Sequence, residues 1–170
     1  MKKVVLAVAI ASSLLVSGCA TGFNAQTNIQ GNSGNGRTAN EGSIQIRNAV
    51  IVVDEKNPTS ASLVATVINT ASKTDSLKSL AVDPAITVSA TPLELKSNQA
   101  VSIGYNSSVA IALSATEATL MPGRFIDVNF IFENNKSIKM SLLVVTNNEF
   151  YSDVVVPSIA PTASPTPSAS

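Results

Sequence analysis

Phe125-Ile126-Asp127-Val128-Asn129-Phe130-Ile131-Phe132, continued across Glu133-Asn134-Asn135-Lys136-Ser137 into Ile138-Lys139-Met140-Ser141-Leu142-Leu143-Val144, decides the fold class of this chain. In the first run Ile126, Val128, Phe130 and Phe132 fall on one side of an extended backbone, with Asp127 and Asn129 on the other. In the second, Ile138, Met140, Leu142 and Val144 oppose Lys139 and Ser141. Successive side chains leave a strand on opposite faces, so a period of two enriched in β-branched and aromatic residues marks half-buried strands. Asparagine tolerates positive φ, and Asn134-Asn135 therefore suits a two-residue hairpin turn between the two runs.

The same pattern spreads outward from this hairpin. Ser43–Val53 places Ile44, Ile46, Val50 and Val52 on one face, interrupted by Asn48. Leu63–Ile68 alternates Leu63, Ala65 and Val67 against Val64, Thr66 and Ile68. Shorter strands fit Leu77–Val82, Ile86–Ser89, Ala100–Tyr105 and Ser108–Leu113, and breaks fall at Asn57-Pro58, Asp83-Pro84, Thr91-Pro92 and Pro122-Gly123. No window carries a long amphipathic helix, and Ala115–Met121 supplies at most one helical turn. Seven to nine short strands at this spacing imply an all-β fold, an antiparallel β-sandwich over residues 43–156.

Both flanks differ in composition. Residues 19–42 are rich in Gly, Asn, Thr and Ser, as in Gly31-Asn32-Ser33-Gly34-Asn35-Gly36, and bury too little apolar surface to fold. They read as a flexible tether with an r.m.s. reach of roughly 25 Å. Residues 157–170, from Pro157 to Ser170, are dominated by Pro, Ser, Thr and Ala and read as a disordered tail. That composition suits an O-glycosylated stalk or a plain spacer alike.

The first eighteen residues read as an export signal. Lys2 and Lys3 form a positive start, and Val4–Val16 is an uncharged apolar stretch of 13 residues. That is short of the about 20 residues a spanning helix needs, but it is the size of a signal h-region. Leu15-Val16-Ser17-Gly18-Cys19 resembles the bacterial lipobox, in which small residues let a peptidase approach the backbone beside a lipid-modified thiol. The resemblance implies cleavage before Cys19, acylation of Cys19 with diacylglyceryl and palmitate-type chains, and a lipid anchor on the extracytoplasmic face of the cell membrane. Several acyl chains are needed for stable anchoring. An ordinary secretory signal with an incidental cysteine is the competing reading.

Composition narrows the chemistry. The chain has 170 residues, 45% hydrophobic and 13% charged, with no histidine, no tryptophan and one cysteine, so no intramolecular disulfide can form. Removing residues 1–18 takes away Lys2 and Lys3 and leaves nine basic against eleven acidic side chains, a net charge of −2. That balance is too mild for a nucleic-acid partner.

Two further stretches carry a family resemblance. Ala61-Ser62-Leu63-Val64-Ala65-Thr66-Val67-Ile68-Asn69-Thr70, then Thr74-Asp75-Ser76-Leu77, is similar to the opening of the PCuAC-type periplasmic copper chaperone domain. Leu120-Met121-Pro122-Gly123-Arg124, then Val128–Ile138 with Phe132-Glu133-Asn134-Asn135, is similar to that family's Pro-Gly turn and closing hairpin. The resemblance covers most of 43–145 and implies a cupredoxin-like, immunoglobulin-like sandwich that carries copper(I) on histidines and methionines, including a His-x-Met pair on the strand before the Pro-Gly turn. The counterparts of that pair here are Val109 and Ile111, or a neighbouring register, and the segment Thr87–Leu95 that should carry the first His and Met is shortened and has neither. The scaffold is thus expected and the copper site is not, as in degenerate lipoproteins of this kind from actinobacteria.

Residue by residue, little else suggests chemistry. Copper(I) prefers thioether, thiolate or imidazole, and the mature chain offers Met121, Met140 and the lipid-blocked Cys19. Met140 lies on an apolar strand face and reads as core, which leaves Met121, beside Pro122-Gly123, as the weak metal candidate. Zinc lacks a His/Cys set, and Asp54-Glu55 and Asn134-Asn135 read as turns rather than a calcium loop. Without histidine no Ser-His or Cys-His arrangement is possible, and no Ser-x-x-Lys motif opens a helix. Nothing pairs Glu94, Glu117 and Asp127 for acid–base work, and no Gly-rich loop follows a strand into a helix. Tyr105-Asn106-Ser107-Ser108 reads as a hairpin turn, or as a binding loop. The expectation is a lipoprotein with no catalytic residues and no cofactor, with a non-enzymatic binding or structural role, and with membrane lipid and an envelope protein or glycan as partners. Two alternatives stand beside it: copper(I) handling through a shared Met121 site, and a hydrolase with an unrecognised site.

Overall fold

In the computed structural model, residues 34–89 and 92–157 are described. Ten strands follow in chain order: β1 Arg37–Glu41, β2 Ile44–Val53, β3 Ser60–Asn69, β4 Asp75–Ala81, β5 Thr87–Val88, β6 Leu93–Leu95, β7 Gln99–Ile103, β8 Ile111–Ser114, β9 Phe125–Phe132 and β10 Ile138–Thr146. One 3-10 turn, Glu149–Tyr151, follows β10. The all-β sandwich expected from the alternation is the fold observed.

The hairpin that opened the reading forms as expected. β9 and β10 pair antiparallel, Phe130 opposite Ile138 and Ile126 opposite Leu142, and Ile126, Val128, Phe130, Phe132, Ile138, Met140, Leu142 and Val144 all enter one buried cluster. The connection differs. Five residues separate β9 from β10, and the positive-φ asparagines are Asn48, Asn98 and Asn106, not Asn134 or Asn135. Those two asparagines act through their side chains, as described below.

β2 and β3 form a central hairpin, and here the expected face assignment is corrected. The register shifts between Arg47 and Val50, where Asn48 adopts φ 52°. One extra residue in a strand reverses the alternation that follows it. Ile44 and Ile46 before the bulge, and Ala49, Ile51 and Val53 after it, therefore face the main core, while Val50 and Val52 turn to the opposite face. There they pack with Val64 and Val154, the last brought back by the segment after β10.

Sheet order is β5-β8-β3-β2-β10-β9-β4-β6, with β1 also on β2 and β7 also on β3. The ladder is not purely antiparallel. The first six residues of β10 pair with β9, and its last three, Val144 to Thr146, run parallel to Ile51 to Val53 of β2. β10 thereby belongs to both layers and joins them. β7 and β8 do not form the hairpin expected around Tyr105. Both lie antiparallel along the same edge of β3, on Ala65–Asn69 and Ser60–Leu63 respectively, with residues 104–110 as an excursion between them.

The expected tether boundary at 42 is corrected too. β1 begins at Arg37 and pairs with β2, and Ala39 packs against the core. Its sequence, Arg-Thr-Ala-Asn-Glu, shows no apolar alternation because backbone ladder bonds rather than a buried face hold it. The signal segment 1–18, the lipobox with Cys19, the tether up to residue 33 and the tail from residue 158 lie outside the described residues. Among the described residues, no helix is long and apolar enough to cross a membrane.

Candidate functional site

The two segments singled out by the resemblance come together. β5 pairs with β8, Thr87 opposite Ser114 and Val88 opposite Leu113, and Ser89 exchanges two hydrogen bonds with Ala112, its N–H to the Ala112 carbonyl at 2.9 Å and its Oγ accepting from the Ala112 N–H at 2.9 Å. Ile111 is fully buried, and Val88 and Val109 pack against the core. The N–H of Val109 is held by Ser107 Oγ at 3.0 Å. Where the family resemblance implies soft ligands, this chain has aliphatic packing and hydroxyls.

Met140 lies in the core as expected, and Met121 is 52% exposed beside the Pro122-Gly123 turn. Gly123 holds φ 87° and donates to the Val144 carbonyl at 2.8 Å, which pins that turn to β10. No cluster of three His, Cys, Asp or Glu side chains occurs among the described residues. Tyr105–Ser108 is a braced excursion: Asn106 takes φ 46° and Ser107 Oγ donates to the Ser102 carbonyl at 2.6 Å.

A groove of about 520 Å³ that the sequence does not announce lies where β4 leaves β9. Asp83, Arg124, Asp127, Asn129 and Lys139 line it, with Phe125 at one side. Lys139 Nζ lies 3.9 Å from Asp127 Oδ2, and Arg124 donates to the Ala118 carbonyl at 2.8 Å. Asn129 Oδ1 is buried there without a partner, an acceptor available to a ligand or water donor. The groove's one hydroxyl, on Thr119, is 2.9 Å from that of Thr116 and not beside a base, so the geometry suits polar recognition rather than nucleophilic attack. Asp127 reads from sequence as a solvated outward carboxylate, and so it stands; the walls around it come from β4, β9 and β10 together with the loops at 82–86 and 119–124.

A second polar cluster uses the residues that carried the resemblance. Asp75 is buried at the start of β4. Its Oδ1 accepts from the N–H of Ser76 at 2.7 Å and of Asn134 at 2.9 Å, and its Oδ2 accepts from the Asn135 amide. Burial pushes the Asp75 carboxyl up, but the hydrogen bonds from Asn135, Asn134 and Ser76 outweigh it and hold the group below the ordinary carboxylate value. Ser43 Oγ donates to Asn135 Oδ1 at 3.2 Å, tying the β1–β2 turn to the same point. Lys78 and then Ser76 hold the Glu133 carboxyl below its usual value, with Lys78 Nζ 3.0 Å away. Asn69, also buried, donates to the Lys73 and Leu95 carbonyls at 2.8 and 2.9 Å. These contacts satisfy one another, so the cluster is a structural lock.

By sequence, no family model and no curated protein matches the chain. Solved structures do. The apo PCuAC domain from PmoF1 aligns with a TM-score of 0.54 at 14% identity, covering 65% of this chain and 99% of that one. The copper-bound PCuAC domain from PmoF2 aligns with a TM-score of 0.53 at 15% identity, covering 65% of this chain and 98% of that one. The chain therefore has a PCuAC-type, cupredoxin-like fold, and at such identity the likeness extends to the fold alone.

Proposed function

We propose that this chain is an extracytoplasmic lipoprotein, anchored by lipid on Cys19 after recognition of Leu15-Val16-Ser17-Gly18, in which a copper-chaperone-like scaffold serves a non-enzymatic binding or structural role. The observation that carries this reading is the β5–β8 contact, where Val88, Val109 and Ile111 pack against or within the core. Aliphatic groups offer copper(I) no donor, and the chain has no histidine to substitute. The groove beside Asn129 and Lys139 is the recognition surface, and its mixed charges and amide suit an envelope protein or a glycan. The exposure of Met121 favours a second reading, copper(I) passed through its thioether with further ligands from a partner or a second copy.

A copper(I) competition titration of the mature chain against a chromogenic chelator separates the two. No binding is expected. Stoichiometric binding that survives a sub-micromolar competitor and disappears in Met121→Ala establishes the second reading instead. For the anchor, Cys19→Ser is expected to move the protein from the membrane to the soluble fraction; an unchanged distribution, with no acyl mass on the native chain, removes the lipoprotein assignment.

A further inference from the structure

Three of the five large apolar side chains left exposed on the described domain, Tyr105 and Val155 being the other two, gather at one end. Phe150 is 85% exposed, Phe125 54% and Met121 52%. Leu143 stands opposite Phe125 across the β9–β10 ladder, and it shares a second, shallow groove with Pro122, Phe150 and Tyr151. The patch is thus continuous from Phe125 through Leu143 to Phe150, larger than the scattered single apolar residues normal on a soluble surface. One exposed cation sits at it: the Arg37 guanidinium lies 5.5 Å from the centre of the Phe125 ring.

Asn35 lines the same groove as Phe150. The chain from Cys19 therefore enters the domain at the apolar end, with fourteen residues between Cys19 and Gly34. An anchor on Cys19 draws that end, rather than the β9–β10 turn, toward the bilayer. Aromatic rings with an adjoining guanidinium match the interfacial layer, where rings sit at headgroup depth and cations meet lipid phosphates.

We propose that this end is a membrane-docking face: Phe150, Leu143, Met121 and Phe125 rest in the interface of the bilayer that holds the anchor, with Arg37 against headgroup phosphates. The proposal rests on the lipidation of Cys19 and adds an orientation to it. Docking in this pose leaves the β9–β10 turn, about 25 Å away along the eight residues of β9, pointing outward.

The chain contains no tryptophan, so a single introduced indole reports its own surroundings. The full acylated protein is reconstituted into vesicles of phosphatidylglycerol and phosphatidylcholine, some carrying shallowly brominated acyl chains. One variant is Phe150→Trp; the reference is Lys136→Trp, at a turn position whose side chain is 87% exposed. Blue-shifted emission and at least twofold quenching by brominated lipid are expected for Phe150→Trp, with solvent-like, unquenched emission for Lys136→Trp. Equal quenching of the two variants in protein that floats with the vesicles overturns the docking face and leaves the anchor standing. Protein that does not float with the vesicles overturns both. Circular dichroism of each variant before reconstitution confirms that it is folded.

Discussion

Asp75 shows how one side chain can hold three chain segments whose sequence gives no sign of meeting. Its two oxygens gather donors from residues 76, 134 and 135, and through Asn135 they reach Ser43. Asp75→Ala takes the shared acceptor from these part-buried donors, and a loss of about 1–3 kcal/mol is expected in urea unfolding. Because the folded carboxyl is held below its ordinary value, its contribution is complete above the unfolded value of about 3.9 and falls away as pH drops through the lower folded value. Native stability should therefore decline below about pH 4 more steeply than that of Asp75→Asn, which has no charge to lose. Parallel declines would remove the assigned role. Gly104 is a second such point. It holds φ 79°, and a β-carbon there would lie 2.4 Å from the Leu63 carbonyl oxygen. Gly104→Ala should cost about 2 kcal/mol or more, from the left-handed backbone and the displaced β3 edge together, read as a lowered thermal midpoint. Asp75 was visible in sequence only as part of a resemblance. The partners that give it meaning are 59 and 60 residues away, beyond any local pattern.

At the scale of elements, what could be read depended on whether a buried face governed the strand. β9 is legible to the residue, and β10 as far as Val144, because one face is core and the other is largely polar. Leu142→Ala, at a fully buried position, should cost about 2–5 kcal/mol, whereas Lys139→Ala, whose exposed pair with Asp127 spans 3.9 Å, should change stability by less than about 1 kcal/mol. Denaturant midpoints of the two variants test that contrast, and comparable losses would mean the outward face is packed against something. β2 is legible as a strand but not in its facing, since Asn48 reads as an interruption of one face rather than as the extra residue of a bulge. β1 escaped because an edge strand needs only backbone partners, and β6 because three residues are too short to show a period, whereas β5 falls inside the expected strand Ile86–Ser89. Asn134-Asn135 was correctly placed between strands, yet it works through amide side chains rather than through positive φ.

For the molecule as a whole, the fold and the site parted company in legibility. The scaffold follows from alternation, and the matching PCuAC structures carry the same fold. The groove at Asn129 does not follow from alternation, because the layering of the sheets brings the loop residues Asp83, Ile86 and Thr119 up beside β9 and β10. That layering depends on β10, which is antiparallel to β9 in its first part and parallel to β2 at its end. Removing everything after Ser137 should abolish the cooperative unfolding transition in circular dichroism, whereas removing only residues 158–170 should leave it within about 0.5 kcal/mol. A transition that survives the larger deletion would show that the layers cohere without their seam.

The position of that seam also sets a schedule. Pairings of distant segments wait for both partners to be made, and the strand common to both layers is the last of the ten to leave the ribosome. Until it arrives, the earlier strands have half an interior to close upon. Closure of the interior is thus expected as one late event, once residue 146 has emerged.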